Sequence, residues 1–216
     1  MTQRRSFLKR AIGSIYSAAA DRLYEPLVVR FGFPLLGGDV NALALEQGRR
    51  AVEKAGELPI LDMPVGTAYF TVHVARLHDD LVVGADIAEG MVRAARRAAL
   101  GAGTQNLEAV RADAHALPFE DSSFGAILCT NGLQVIPDLD ASLAELARVL
   151  SPEGVLYTSI IAVPLGRALP QGAADHLPTL LKSRREIIVA FERAGLRIRS
   201  IDSNRFALLL EAARSV

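Results

Sequence analysis

One cysteine, Cys129, stands in a chain of 216 residues, which excludes an intrachain disulfide and any zinc site built from several cysteines. Four histidines are present, His73, His78, His115 and His176. The nearest two are five residues apart, a spacing that does not put both on one helical face as a paired zinc motif requires. No metal site is expected. Neither sign of charge is in excess, with 24 basic and 24 acidic residues, so neither nucleic acid nor an anionic surface is favoured as a partner. No apolar run approaches the roughly 20 residues that a membrane-spanning helix needs, and no membrane span is expected. A small-molecule partner is the class left standing.

The length suits one well-buried α/β domain rather than two. From about 59 to 160, short β-branched or apolar runs alternate with helical patterns, the signature of a parallel sheet covered by helices on both faces. Strands are predicted at 59–63, 81–85, 107–111, 124–129 and 154–160. In "AEGMVRAARRAAL", Met91, Val92, Ala95, Ala98 and Ala99 share one face, Arg93, Arg96 and Arg97 another, and Gly101 follows as a helix stop. Leu139, Leu143, Leu146, Ala147 and Leu150 also repeat at helical spacing, with Asp138 as a cap and "SPEG" ending the run. A helix over 184–194 stops at Gly195. "LRIRSID" and "RFALLLEA" then predict an antiparallel hairpin at the sheet edge.

Two segments lie outside this frame. Residues 1–57 read as a mostly helical lid ahead of a domain at 58–216, and 162–183, with Pro164, Pro170 and Pro178, reads as a loop-rich insert over a substrate pocket. "RRSFLKR" at 4–10 is similar to a twin-arginine export motif. Against export, Leu8, Ile12, Ile15, Ala19 and Leu23 recur at helical spacing, and a cytoplasmic location is expected.

In an open parallel sheet, ligands sit at the carboxyl ends of the strands near the point where strand order reverses. Asp62 ends the first strand, Asp86 the second, Asp113 follows the third, and Cys129 and Asn131 close the fourth. An Asp after a strand is also an ordinary turn or cap residue; three in the same register, together with the Asn131 amide, point to a ligand. A carboxylate at Asp86 suits the two hydroxyls of a ribose. Asp113 and the Ala114 amide suit an adenine edge. Ile87 and Met91 flank the ring, although Met91 suits the core equally well. Asp62, beside Pro64 and Gly66, repels a pyrophosphate and favours an ammonium or sulfonium.

These residues resemble the class I S-adenosylmethionine-dependent methyltransferases, in particular the small-molecule branch that includes quinone methyltransferases. "ILDMPVGTAYF" looks like the family's first motif, "VVGADIAEGM" like the ribose-binding acid motif, "VRADAHALPFEDSSFGAIL" like the adenine motif, and "LARVLSPEGVLY" like the lead into the fifth strand. Pro64 and Ala68 stand where the family usually has glycines, Gly125 where an Asp is common, Ala88 in place of a frequent Ser and Glu153 in place of a Gly. The resemblance implies a Rossmann-like, doubly wound, mostly parallel seven-stranded sheet with an antiparallel C-terminal hairpin. It further implies S-adenosylmethionine held by Asp62, Pro64, Gly66, Asp86, Ile87, Met91, Asp113, Ala114 and Asn131, with Tyr16 or Tyr24 closing over the methionine part.

Methyl transfer to a small hydrophobic or aromatic acceptor is the expected activity. It needs alignment more than a nucleophile. A base for a hydroxyl acceptor is sought at His176 or Asp175 in "GAADHLP", and secondarily at His115. Cys129 reads as a buried strand residue. Two other readings compete: a non-catalytic methyltransferase-like scaffold, and a nicotinamide-cofactor dehydrogenase, since Asp86 lies about 20 residues past a glycine turn as in dinucleotide folds. Against the dehydrogenase, the loop lacks G-x-G-x-x-G.

Overall fold

The structure, a computed structural model, describes residues 40–161, 183–203 and 207–215. The described elements are α1 (Val40–Ala55), β1 (Ile60–Asp62), α2 (Thr71–Leu77), β2 (Val82–Asp86), α3 (Glu89–Ala102), β3 (Leu107–Arg111), β4 (Phe124–Thr130), α4 (Leu139–Val149), β5 (Leu150–Ile161), α5 (Arg184–Arg193), β6 (Leu196–Ser203) and β7 (Ala207–Arg214). The seven strands form one sheet in the order β3-β2-β1-β4-β5-β7-β6. β1 pairs in parallel with both β2 and β4, whereas β7 runs antiparallel to β5 and β6. The Rossmann-like sheet with its C-terminal hairpin is therefore present.

Alternation along the buried strands builds two cores. Ile60, Val82, Ala126, Leu128, Val155 and Tyr157 pack with residues of α1, α2 and α3 on one face. Leu61, Val83, Ile127, Cys129, Leu156 and Ile160 pack with Leu143 and Leu146 of α4 and Ile187 and Phe191 of α5 on the other. Apolar neighbours in sequence thus point to opposite layers, and strands covered on both faces read as continuous apolar runs.

Helix ends follow local chemistry. Asp138 accepts from the Ala141 N–H at 3.2 Å to cap α4, and Ser183 with Glu186 forms a reciprocal capping box on α5. Two boundaries differ from expectation. Gly101 lies within α3, and the left-handed residue that ends the helix is Gly103 (φ 69°), with the next N–H, of Thr104, reaching the Ala99 carbonyl. "SPEG" is an irregular stretch inside β5: the pairing passes from Phe124↔Leu150 to Ala126↔Val155, so α4 already ends at Val149.

Close approaches decide where glycine stands. A Cβ at Gly84 would meet Val65 Cγ2 at 2.5 Å, so the bare β2 backbone leaves room for the loop after β1. A Cβ at Gly125 would lie 2.7 Å from the Ala55 carbonyl oxygen and 2.8 Å from Leu58 Cβ. The family's common Asp does not fit there, because the end of α1 and its connection to β1 lie against β4. Backbone cannot yield as a side-chain tip can, so Gly125→Ala is expected to cost about 1–3 kcal/mol, with Gly125→Asp costing more. Urea unfolding of both variants against the parent measures this.

Candidate cofactor site at the strand-order reversal

Strand order reverses at β1, whose neighbours are β2 on one side and β4 on the other. The carboxyl ends of these strands frame a crevice in which Asp62 and Asp86 both stand, 4% and 6% exposed. The loop leaving β1 is stitched to both neighbouring strands. Met63 N–H donates to Leu128 O at 2.9 Å, Val65 N–H to Ala85 O at 2.8 Å, and Gly66 N–H to Asp86 Oδ2 at 3.1 Å. Asp86 Oδ1 accepts from the Ala88 N–H at 2.9 Å. One carboxylate therefore ties the glycine turn to the start of α3.

Gly66 has φ 55° and Ala68 has φ 60°. The left-handed backbone that glycine usually supplies is thus retained at Ala68, where a non-glycine residue costs roughly 1–2 kcal/mol. Ala68 is fully buried in the α1–α3 layer, so its methyl fills space that glycine would leave. Pro64 is matched from across the crevice, because a Cβ at Gly132, just past β4, would collide with Pro64 Cδ. Gly132 was not singled out in the sequence, since the partner that demands it is 68 residues away in the chain.

Asp62 accepts from Thr71 Oγ1 at 2.5 Å through Oδ2, while Oδ1 is buried without a partner. Thr71, the first residue of α2, is a candidate site residue that pattern reading missed; a hydroxyl directly after an aromatic pair carries no periodic signal. Burial raises the Asp62 carboxyl to about 7, the Thr71 hydrogen bond opposes this, and the nearby Asp86 charge adds to it. Asp86 is also raised, first by burial, against the Ala88 and Gly66 amides. Burial pushes the Cys129 thiol up to about 12, with the Asp62 charge contributing, so Cys129 is a fully buried strand residue, not a nucleophile.

At the other end of the crevice, Asp113 Oδ1 accepts from the His115 N–H at 3.0 Å and lies 2.6 Å from His115 Nδ1. His115 is thereby engaged by Asp113. Ala114 is buried and Ile87 half-buried. Met91 is 1% exposed, which places it in the interior. Asn131 adopts φ 53° at the end of β4; its Oδ1 accepts from Ser159 Oγ at 3.0 Å. Ser159, on β5, is a second residue the sequence reading did not single out. Tyr16, Tyr24, Asp175 and His176 lie outside the described residues, as do the export-like motif and nearly all of the 162–183 insert. Among the described residues no cluster of His, Cys, Asp and Glu fits a metal ion, and no helix is long and apolar enough to cross a membrane.

The folded protein holds a proton on Asp62 that the unfolded chain releases at ordinary carboxylate pH, so stability falls as pH rises from about 4 to about 7 and levels off above. An incoming cation reverses the preference and favours the ionised form. Asp62→Asn is therefore expected to raise the melting temperature of the free chain at pH 8 and leave it little changed at pH 4. The affinity of the parent for a cationic ligand should rise between pH 6 and 8, and that of the variant should be weak and flat. Thermal melts and calorimetric titrations across this range provide the check.

Comparison with known proteins agrees with this geometry. Residues 60–154 match the family described as "Methyltransferase domain". The chain is 37% identical over 98 residues to a demethylmenaquinone methyltransferase of Staphylococcus saprophyticus, covering 44% of this chain and 41% of that protein. It is 35% identical over 128 residues to the ubiquinone/menaquinone biosynthesis C-methyltransferase UbiE of Escherichia coli, covering 56% of this chain and 51% of that protein. The chain spans about half the length of these curated relatives or less. Among solved structures, a SAM-dependent methyltransferase from Aquifex aeolicus superposes with a TM-score of 0.68 at 18% identity, covering 93% of this chain and 97% of that one, a likeness of fold. Residues 60–154 thus carry a methyltransferase domain, and with its strand order and its acid-flanked loop at the reversal point the chain is similar to the class I S-adenosylmethionine-dependent methyltransferases.

Proposed function

We propose that this chain binds S-adenosylmethionine in the crevice between Asp62 and Asp86 and transfers its methyl group to a small, hydrophobic or aromatic acceptor by in-line displacement. The observation that carries the reading is the pair of buried carboxylates on either side of Gly66, both raised in pKa chiefly by burial. Among the described residues no lysine or arginine is among the causes acting on either carboxyl, so a ligand's ammonium and sulfonium supply the missing positive charge. A pyrophosphate would meet two carboxylates there.

In this reading Asp62 faces the ammonium of the methionine part, Asp86 the ribose hydroxyls, and Asp113 with the Ala114 amide the adenine edge. Ile87 borders the ring, Pro64 and Gly66 form the loop wall, and Asn131 sits where β4 delivers the ligand toward β5. Asp86 Oδ1 and Oδ2 each accept one backbone N–H, and each keeps a lone pair for a hydroxyl. Alignment of acceptor and methyl group is worth up to ~7–11 kcal/mol. The quinone-related names of the curated relatives favour a quinol-like ring as acceptor. Within the proposal, Tyr16 borders the methionine part and His176 is the base for an acceptor hydroxyl.

Calorimetry with S-adenosylhomocysteine is expected to show micromolar binding, weakened at least about tenfold in Asp86→Ala and Asp86→Asn, with a nicotinamide dinucleotide giving no heat. Equal affinities in parent and variants remove the ribose assignment. Binding without turnover of any quinol or phenol acceptor would favour a non-catalytic scaffold. In a turning-over system, His176→Ala is expected to lower kcat by about 10²-fold with homocysteine-product affinity unchanged, as read by mass spectrometry of the methylated product.

A further inference from the structure

The stretch between β3 and β4, which carries Asp113 and Ala114, has the isolated bridge Asp113↔Ala116, and its first residue, Ala112, donates its N–H to the Asp86 carbonyl at 3.0 Å. From Leu117 onward its anchorage comes from α4. Arg148 donates through Nη1 to the Phe119 carbonyl at 2.8 Å and to Asp121 Oδ1 at 2.7 Å, and through Nη2 to the Leu117 carbonyl at 3.0 Å. Glu145, one turn earlier, accepts from Arg148 Nε at 2.8 Å through Oε1 and from Nη2 at 2.9 Å through Oε2. The same Oε2 accepts the Leu117 N–H at 2.8 Å. Leu117 is thus held at both of its backbone polar groups by one ion pair on α4, and Ser122 N–H closes the stretch onto the Arg148 carbonyl at 2.9 Å.

A basic residue in a last helical turn is ordinarily satisfied by the helix's own carbonyls and water. Arg148 instead pairs with Glu145 on its own helix through Nε and Nη2 and turns Nη1 and Nη2 toward another segment, 27 to 31 residues earlier in the chain. A planar guanidinium with five donors can serve a carboxylate pair and two carbonyls together; an ammonium cannot hold that geometry. β3 and β4 are fixed independently by their ladders to β2 and β1. The clamp therefore governs the segment between them, and Leu117 is four residues from Asp113 and three from Ala114.

We infer that Glu145 and Arg148 are positioning residues for the nucleobase end of the cofactor site, setting the placement of Asp113 and Ala114 against the base edge. This rests on the S-adenosylmethionine reading above. The clamp touches no ligand; it acts through the loop, so its loss should change which base is accepted and leave the ribose end, on Asp86, in place.

The test compares S-adenosylhomocysteine with S-inosylhomocysteine, in which the amino group that Asp113 would accept is a carbonyl and the ring nitrogen facing Ala114 carries a proton. The parent is expected to prefer the adenosyl compound by at least about tenfold, as a site built to hydrogen-bond one edge rejects the other. In Arg148→Met the preference should fall below about threefold, mainly through loss of adenosyl affinity, with Arg148→Lys intermediate because it keeps the charge without the fork. Hydrogen exchange of the free variants should accelerate within 112–121 and remain as in the parent in β1, β2 and β4. An unchanged preference in both variants, or an equal fall in both affinities, overturns the inference while leaving the cofactor reading intact. A parent that binds neither nucleoside overturns both.

Discussion

The carboxylate of Asp86 holds the crevice together. It sits at the end of β2, accepts the Gly66 amide from the loop after β1 and the Ala88 amide at the start of α3, and is almost fully buried. Two amide bonds partly offset the burial of its charge, and they bring the turn of one strand to the mouth of the next. Asp62 itself is placed by the β1 ladders to β2 and β4 and held by the Thr71 hydroxyl. Removing water from two neighbouring carboxylates is unfavourable in the free protein. In the proposed function, that cost is offset by a ligand that carries positive charge and hydroxyls.

The loop departs from the glycine pattern of the methyltransferases it resembles, and the structure shows what surrounds Pro64, Ala68 and Gly125. Ala68 keeps the left-handed backbone and uses its methyl as core. Pro64 occupies space that Gly132 leaves open, Val65 lies over Gly84, and the lost acid at position 125 answers to the backbone of α1 pressed on β4. Apart from Ala68, each of these contacts joins a residue of the loop or helix layer to a glycine on or just past a strand distant in sequence. Close packing leaves little slack for one partner to change without the other.

Much of the candidate site was legible in sequence because strand ends are local. Asp62, Asp86 and Asn131 each close or follow an apolar run, and Asp113 follows a shorter one, and period-two and period-3.6 patterns place those runs. The carboxylates and Asn131 do lie along one edge of the sheet, and the cap at Asp138 and the C-terminal hairpin formed where their residues predicted. α2 escaped notice because seven residues make two turns, too few for a period to show. The end of α3 was misplaced by two residues because two glycines were available and only the backbone conformation selects Gly103. Met91 was open between core and ligand, and its burial places it in the interior.

By itself, the sequence determined the alternation of strands and helices, the acids at the strand ends and the family that the motifs resemble, because each depends on residues within one or two turns of chain. Only the tertiary structure decided that Thr71 holds Asp62, that Gly132 admits Pro64, that Ser159 braces Asn131 and that Arg148 clamps Leu117. Most of these pairs are separated by 28 residues or more and all are set by the order in which strands enter the sheet. Charge and burial at Asp62 belong to the same class, since a carboxyl learns its pKa from neighbours that folding brings to it.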